Sequence, residues 1–226
     1  MHVLRAENLI KEYQQGSTKT EVLRGVTYSF ESTQSYAIVG VSGTGKSTLM
    51  HLLAGIDLPT KGSVFYDEQS LEKMSSSVKN DFLNKKIGLV FQDPHLIAEL
   101  TVIENVMLKG LIAQDDYDTL KEQAEELLSL VGLKAKADHH PFSLSGGQQQ
   151  RIAVLRALFN KPEFLLADEP TGNLDIESAS VIIDLLERGK EWGMGLIVSS
   201  HDPYVAERMK QRLVMKQGIL VTKNKE

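Results

Sequence analysis

The sequence predicts an α/β fold: a mostly parallel sheet covered by helices, an antiparallel sheet at the N-terminus, and a helical lobe inserted into the core. Three observations predict it. Short apolar runs of strand length alternate with helical patterns, a glycine-rich loop joins one such strand directly to a helix, and about 70 residues between KIGLVF and EFLLAD carry helical patterns but no convincing strand. We therefore expect one domain over residues 1–226, with a core at about 1–91 and 161–226 and a helical subdomain at about 92–160.

The first strands are HVLRAENLI and VLRGVTYSF, which we expect to form an antiparallel sheet and to be separated by the polar loop QQGSTKT. Charge begins at Arg5, and no apolar run near the N-terminus has the character of a signal peptide. Elsewhere no run approaches the roughly 20 apolar residues that cross a bilayer. We expect a soluble protein whose role at a membrane would come through a partner, and a frayed tail at KNKE.

Composition excludes several classes of site. The formal net charge is -5, which gives no reason to expect a nucleic-acid surface. The chain has no cysteine, so disulfides and thiolate metal sites are excluded. The six histidines are scattered except for His139 and His140, a pair that we expect in a polar loop.

The loop GVSGTGKST, residues 40–48, lies between the apolar strand QSYAIVG and the helical pattern STLMHLLAGI, and it matches G-x-x-x-x-G-K-[ST]. Such a loop curls its backbone N–H groups around phosphate oxygens, and the positive end of a helix beginning near Gly45 adds to the attraction. Lys46 would reach the β- and γ-phosphates of a nucleotide, and Ser47 would offer its hydroxyl to Mg²⁺. A flexible glycine turn is the alternative, which the flanking strand and helix disfavour.

The stretch EFLLADEP predicts a buried strand that delivers Asp168 to the carboxyl edge of the sheet, where ligands of open α/β sheets bind. A carboxylate there can hold Mg²⁺ directly or through water. Glu169 follows and could polarise a water for attack on the γ-phosphate. The alternative, that two acids merely end a strand, is weakened by the phosphate loop upstream.

Two helices are predicted inside the inserted segment. In YDTLKEQAEELLSLVG the apolar residues share one helix face, and Gly132 is placed to end the helix. That face, which we expect to pack in the core, consists of Leu120, Ala124, Leu127, Leu128 and Val131. The second helix starts at Ser145 in SLSGGQQQR, where Ser145 and Gln148 have the spacing of a capping box, and it runs through QRIAVLRALF.

Capping does not account for Gly146 and Gly147, because each glycine costs about 1 kcal/mol relative to alanine within a helix. Two glycines in a first turn favour the close approach of an anion to the helix N-terminus. The residues alone indicate a helix start suited to an anion and identify no ligand for it.

Taken in order, these motifs make the whole chain similar to the ATP-binding subunit of an ABC transporter, a P-loop NTPase cassette. The family order runs from the phosphate loop through Gln92 of VFQDP, the LSGGQ signature and the ADEP acids to NLD at 173–175 and His201 of SSHD. Tyr13 lies where the family places an aromatic ring against adenine.

The resemblance implies a role for each matching residue, with ATP and Mg²⁺ as cofactors. The nucleotide would be held by Tyr13, Gly40, Ser42, Gly43, Gly45, Lys46, Ser47 and Thr48. The metal would be held by Ser47, Gln92 and Asp168. The catalytic groups would be Glu169, His201, Gln92 and Lys46. In that family two subunits pack head to tail, so Ser145, Gly147 and Gln148 would contact the ATP of the other subunit, and Asp175 would couple the two sites.

The surrounding words, especially LLADEPTGNLD, resemble the branch that contains lipoprotein-releasing (LolD-type), macrolide-export (MacB-type) and cell-division (FtsE-type) ATPases. The stretch SLEKMSSSVKNDFLNKKIGLVFQ is most similar to the lipoprotein-releasing members, whereas Ile97 and Ala98 depart from the Leu-Leu-Pro usual there. The resemblance implies an ATPase homodimer on the cytoplasmic side of the inner membrane, attached through integral membrane permease subunits and powering lipoprotein release.

Two other classes of function remain to be weighed. A regulatory module of the cell-division type would use ATP binding to signal without moving a solute, and the membrane partner would distinguish it. A soluble ABC ATPase of DNA repair or translation would split its motifs with long coiled coils or carry two cassettes. One compact cassette of net charge -5 argues against that class.

Overall fold

The computed structural model of the protein describes residues 1–16 and 18–222, so the tail 223–226, for which the sequence predicts fraying, lies outside the described residues. Ten strands are found in this part of the chain: β1 Val3–Gln15, β2 Thr18–Glu31, β3 Ser35–Val39, β4 Lys61–Tyr66, β5 Gln69–Ser70, β6 Ile87–Val90, β7 Phe164–Asp168, β8 Gly195–Ser200, β9 Gln211–Lys216 and β10 Ile219–Thr222. The α-helices within the same residues are α1 Lys46–Ala54, α2 Ser76–Lys85, α3 Val102–Ala113, α4 Tyr117–Leu130, α5 Gly146–Leu158, α6 Ile176–Glu191 and α7 Pro203–Glu207.

The strands form two sheets. A four-stranded antiparallel sheet has the order β2-β1-β4-β5, as predicted for the N-terminal strands. A six-stranded sheet has the order β10-β9-β3-β8-β7-β6, in which every pair is parallel except β9 with β10. The expected mostly parallel core with an antiparallel sheet beside it is therefore present.

The central strands are buried on both faces, which explains why they read as continuous apolar runs. In β3, Ala37 and Val39 belong to the apolar cluster on the side of α3 to α6, whereas Tyr36 and Ile38 belong to the cluster that contains α1 and the antiparallel sheet. The parallel sheet thus lies between two hydrophobic layers, and its carboxyl edge is left to the loops.

The segment between β6 and β7 contains helices and no strand, as predicted, and every residue in it is described. Helix α4 buries Leu120, Ala124 and Leu128, and Val131 packs in the same cluster, with Leu127 partly buried beside it. The helix ends at Leu130, and Gly132 follows with φ 68°, a conformation that suits glycine at a helix C-terminus.

Two details differ from the sequence-based expectation. The first hairpin extends through most of the predicted loop QQGSTKT, because Tyr13 pairs with Thr20 and Gln14 with Lys19, and tyrosine and threonine favour strands. Strands β4, β5, β9 and β10 and helices α2, α3, α6 and α7 were not predicted individually. Within the described residues, no helix combines the length and apolar character needed to cross a membrane.

Candidate active site

Four of the predicted site groups converge at the carboxyl edge of the parallel sheet. The loop of residues 40–48, called the P-loop below, follows β3; Gln92 follows β6 by two residues; Glu169 follows β7; and His201 follows β8. Because these strands are parallel, their carboxyl ends meet at one edge. A cavity of about 630 Å³ lies there, lined by Val22, Val41, Ser42, Gly43, Gly45, Lys46, Ser47, Thr48, Gln92, Glu169 and His201.

Two P-loop glycines are required by the geometry. Gly45 has φ 102° and is the N-cap of α1, and a Cβ there would lie 2.9 Å from the side chain of Leu23. At Gly40 a Cβ would lie 2.5 Å from the carbonyl oxygen of Met215. The loop therefore folds tightly under the hairpin and delivers the N-terminus of α1 to the cavity, as the sequence predicts.

Lys46 is almost fully buried, with 6% of its side chain exposed. Its Nζ donates to the carbonyl oxygens of Gly40 at 2.8 Å and Val41 at 3.3 Å, and it lies 3.1 Å from Oε1 of Glu169. A buried ammonium that faces a cavity is an anion-binding group. In this structure the Glu169 carboxylate pairs with the ammonium, as a bound phosphate would.

Glu169 is held on several sides. Its Oε2 lies 2.9 Å from Nδ1 of His201, and its backbone N–H donates to the carbonyl oxygen and to the hydroxyl of Ser199, each at 3.1 Å. Its φ of 45° is in the left-handed region, which is uncommon for a residue other than glycine and clusters at active sites. The carboxylate is thus fixed between Lys46 and His201.

Asp168, one residue earlier, accepts a hydrogen bond from the hydroxyl of Ser199 at its Oδ1. Ser199 therefore orients both neighbouring acids, and it is a functional residue that sequence reasoning missed. Its signal was available, because a serine near the end of the apolar strand GLIVSS is fully buried and must find a partner.

Gln92 lies at the mouth of the cavity and donates through Nε2 to Oδ1 of Asn173 at 3.3 Å. Side chains of α5 hydrogen-bond to the loop that carries Gln92, a contact that was not predicted from the sequence. Gln150, 2% exposed, donates to the carbonyl oxygens of Phe91 and Pro170, and Arg156 donates to those of Pro94 and His95. One helix therefore connects the Gln92 loop with the segment after Glu169.

The signature segment LSGGQ, residues 144–148, does not line this cavity. Ser145 caps α5, and both halves of the predicted capping box are formed, because the Ser145 hydroxyl accepts from the Gln148 N–H and the Gln148 side chain accepts from the Ser145 N–H. A Cβ at Gly147 would lie 2.7 Å from the Ser178 hydroxyl. Packing against α6 thus supplies one structural reason for this glycine.

Gly146 belongs to the signature segment, and Asp175 lies at the start of the neighbouring helix α6. A Cβ at Gly146 would meet nothing within 4 Å, so packing gives no reason for a glycine there. Asp175 caps α6, accepting from the N–H and the hydroxyl of Ser178, each at 2.8 Å. The hydrogen bond from the Ser178 N–H, followed by that from its hydroxyl, holds the pKa of Asp175 below its ordinary value.

Tyr13 lies on β1 and is not among the residues that line the cavity. Its ring is 41% exposed, and its hydroxyl donates to Oδ2 of Asp57 at 3.0 Å. It belongs to the same hairpin as Val22, which does line the cavity, since Thr20 is its cross-strand partner.

The donor set fits a magnesium nucleotide. Ser47, Gln92 and Asp168 offer a hydroxyl, an amide and a carboxylate, all oxygen ligands of the kind that Mg²⁺ takes. Over residues 1–16 and 18–222 no three His, Cys, Asp or Glu side chains form a ready-made metal site.

Known proteins match this chain in sequence and in fold. The family model described as ABC transporter matches residues 23–172. Two solved structures of the protein MJ0796 match with a TM-score of 0.90 at 33% identity, covering 99% of this chain and 100% of theirs. One is a dimeric post-hydrolysis state of an ATP-binding cassette bound to ADP and Pi, and the other is a dimeric bacterial ABC transporter cassette. The fold class predicted from the sequence is confirmed.

Proposed function

This chain belongs to the ABC transporter family, and on that premise we propose that it binds and hydrolyses ATP to power a separate membrane subunit. The observation that carries the proposal is the convergence of Lys46, Glu169 and His201 on one cavity beside the P-loop. A buried ammonium for phosphate, a fixed carboxylate for water and a histidine beside it are the groups that phosphoryl transfer to water requires.

In the proposed reaction, ATP lies along the P-loop and its γ-phosphate takes the place of the Glu169 carboxylate on Lys46. The freed carboxylate accepts a proton from water as the water oxygen bonds to the γ-phosphorus and the bond from that phosphorus to the bridging oxygen breaks. Lys46 stabilises negative charge on the phosphate, and His201 holds the water and the γ-phosphate in line. Ser47, Gln92 and Asp168 would hold Mg²⁺, which would neutralise part of the phosphate charge.

We propose that Ser145, Gly147 and Gln148 act on ATP held by a second copy of the chain. Two observations support this. The signature segment lies outside the cavity of its own chain, although its first turn exposes Ser145 and Gly146 to solvent. The matching MJ0796 cassettes are dimeric. In a head-to-tail dimer the first turn of α5 would complete the partner's site with N–H groups and the positive end of the helix.

An apolar groove beside the Gln92 loop supports the proposal that a protein partner binds there. The groove, of about 440 Å³, contains two cations, Lys109 and Arg156, and no carboxylate among the described residues that line it. Its apolar lining includes Ile56, Leu83, Leu89, Phe91, Leu108 and Ile112. Because Arg156 also holds the carbonyl oxygens of Pro94 and His95, a partner in this groove would act on the loop that carries Gln92. We propose that the partner is an integral membrane permease and that the cassette is peripheral on the cytoplasmic side of the inner membrane.

Within the branch, we propose lipoprotein release, on the similarity of SLEKMSSSVKNDFLNKKIGLVFQ to the lipoprotein-releasing members. MacB-type export and FtsE-type regulation are the competing functions. Tagged Glu169→Gln protein, extracted from its native membrane with ATP, separates them by the permease that accompanies it. A lipoprotein-release permease is the expected result, and a division or efflux partner would redirect the assignment. Extraction with no membrane partner would contradict the transporter function.

The ATPase function is tested by replacing Lys46. We expect Lys46→Ala to bind ATP roughly 10- to 100-fold more weakly, because charge-assisted hydrogen bonds to phosphate are lost. Titration calorimetry with ATP measures the affinity, and phosphate release with Mg²⁺ measures turnover. Lys121→Ala, an exposed lysine on α4, is the matched control and should behave as the wild type. Wild-type affinity in Lys46→Ala would contradict the site.

A further inference from the structure

Tyr13, whose ring is proposed to contact adenine, is held by two neighbours, Lys11 and Asp57, for which no role was predicted. Asp57, three residues beyond the end of α1, accepts the Tyr13 hydroxyl at 3.0 Å. Lys11 precedes Tyr13 by two residues on β1, and its ammonium lies over the Tyr13 ring. The Lys11 Nζ lies 4.9 Å from the centroid of the Tyr13 ring and 2.7 Å from Oδ1 of Asp57.

The three side chains form a closed set of contacts. Lys11 also donates to the carbonyl oxygen of Leu58 at 2.7 Å, and its side chain is only 12% exposed. Asp57 accepts from the Leu58 N–H at 2.7 Å as well. Burial would raise the pKa of Asp57, but hydrogen bonds from Lys11, Leu58 and Tyr13 bring it below its ordinary value, so the carboxylate stays ionised.

Hydrogen bonds also hold the backbone next to these three side chains. The Thr60 N–H donates to the carbonyl oxygen of Ile10 at 2.8 Å, and the Thr60 hydroxyl accepts from the Glu12 N–H at 2.9 Å. The strand that carries Tyr13 is therefore tied to the segment after α1, the helix that begins at the P-loop. Any base resting on Tyr13 would be held at a fixed position relative to phosphates on the P-loop.

We propose that Lys11 and Asp57 are positioning residues that set the Tyr13 ring for the nucleotide base; this rests on the proposed ATP function. The ammonium occupies one face of the ring, so a base stacks on the opposite face. Asp57 fixes the rotation of the ring through its hydroxyl. Preorganisation of this kind increases affinity because a ring that is already ordered loses less conformational entropy on binding.

The test compares the affinity for ADP with the affinity for inorganic pyrophosphate; neither molecule has a γ-phosphate to be hydrolysed. Tyr13→Phe keeps the stacking surface and removes only the hydroxyl, and Lys11→Met keeps the aliphatic stem and removes the charge. We expect each variant to bind ADP about three- to tenfold more weakly, the effect of one lost hydrogen bond or charge contact, with pyrophosphate affinity unchanged. Glu12→Gln, between the two in the sequence but with its carboxylate 3.8 Å from Lys19, is the matched control and should bind both as the wild type does.

A double-mutant cycle adds a readout that general damage would not move. If Asp57 acts through the Tyr13 hydroxyl, Asp57→Asn should weaken ADP binding less in the Tyr13→Phe background than in the wild type. Unchanged ADP affinity in Tyr13→Phe and Lys11→Met, or an equal loss of pyrophosphate affinity, would overturn the inference. Wild-type protein that binds neither ADP nor pyrophosphate would instead overturn the proposed function, so the two failures are distinguishable.

Discussion

At the scale of single residues, Glu169 connects the groups that the reaction needs. Its two oxygens face Lys46 and His201, and Ser199 fixes its backbone. The sequence predicts the carboxylate at the strand end, because an acid after a buried strand falls at the ligand-binding edge. It does not predict the ion pair with Lys46, since that contact joins residues 123 positions apart in the chain (169 minus 46) through strand order alone.

Glu169→Gln is expected to bind ATP and to lose turnover by about 10²- to 10⁴-fold, because the amide keeps the shape of the side chain but cannot accept the proton from water. Phosphate release under saturating ATP and Mg²⁺ measures the loss, and calorimetry checks that binding survives. Glu122→Gln, an exposed acid on α4, serves as the control and should turn over normally. Rapid hydrolysis by Glu169→Gln would rule out Glu169 as the base.

At the scale of elements, helix α5 has a capped first turn and a set of contacts with neighbouring loops, and its sequence predicts only the first. The capping box of Ser145 and Gln148 is readable from the spacing and is confirmed. The hydrogen bonds of Gln150 and Arg156 to loop carbonyl oxygens are harder to predict from the sequence, because a polar residue on a helix is exposed more often than buried. These contacts link the first turn of the helix to the Gln92 loop.

Two replacements of Ser145 separate capping from phosphate contact. Ser145→Ala should lower the free energy of unfolding by about 1 kcal/mol, the usual cost of a lost N-cap. Ser145→Asp keeps an N-cap acceptor, so its stability should match the wild type while its charge repels a partner's phosphate. Urea denaturation and ATPase assays measure the two effects. Full activity in a stable Ser145→Asp protein would mean that this turn does not meet phosphate.

Helix α3 carries a half-buried cation, Lys109, whose titration should be visible in the free energy of unfolding. Burial, and to a lesser extent the charge of Arg156, lowers the pKa of Lys109 from 10.5 to about 8. Between those values the unfolded chain binds more protons than the folded one, so this residue makes the protein more stable as pH rises from about 8 to 10.5. Below pH 8 both states are protonated and the contribution is constant.

Lys109→Met isolates this contribution. The stability of the methionine variant relative to the wild type should fall by roughly 3 kcal/mol between pH 7 and pH 10.5, as deprotonation relieves the wild type of a buried charge. Urea denaturation of both proteins across that range gives the difference, in which other titrating groups cancel. A difference that stays flat with pH would show that Lys109 keeps its ordinary pKa.

At the scale of the whole molecule, the sequence predicts the layers and the site edge better than it predicts the perimeter. Strands such as β3 and β7 are predictable because burial on both faces makes them continuous apolar runs. The edge strand β10 is mostly exposed, and β5 has only two residues, so neither carries a strong pattern. Contacts between distant segments, such as Lys11 with Asp57, depend on the completed fold and leave no local signature.

In the proposed dimer each ATP site is built from two copies of the chain, and mixing two inactive variants tests this directly. Lys46→Ala removes the phosphate ligand. Gly146→Asp places a negative charge in the first turn of α5, where a Cβ would meet nothing within 4 Å and Gly146 is exposed, so the fold should be preserved. In a head-to-tail heterodimer, the P-loop of the Gly146→Asp chain faces the signature segment of the Lys46→Ala chain, and this one site is intact.

In an equal mixture about half of the dimers are such heterodimers, each with one working site. We therefore expect about a quarter of wild-type ATPase activity from two inactive components. Phosphate release by the mixture, compared with each variant alone at the same total concentration, is the measurement. A mixture no more active than its components would contradict the account, because a site contained within one chain cannot be restored by a second chain.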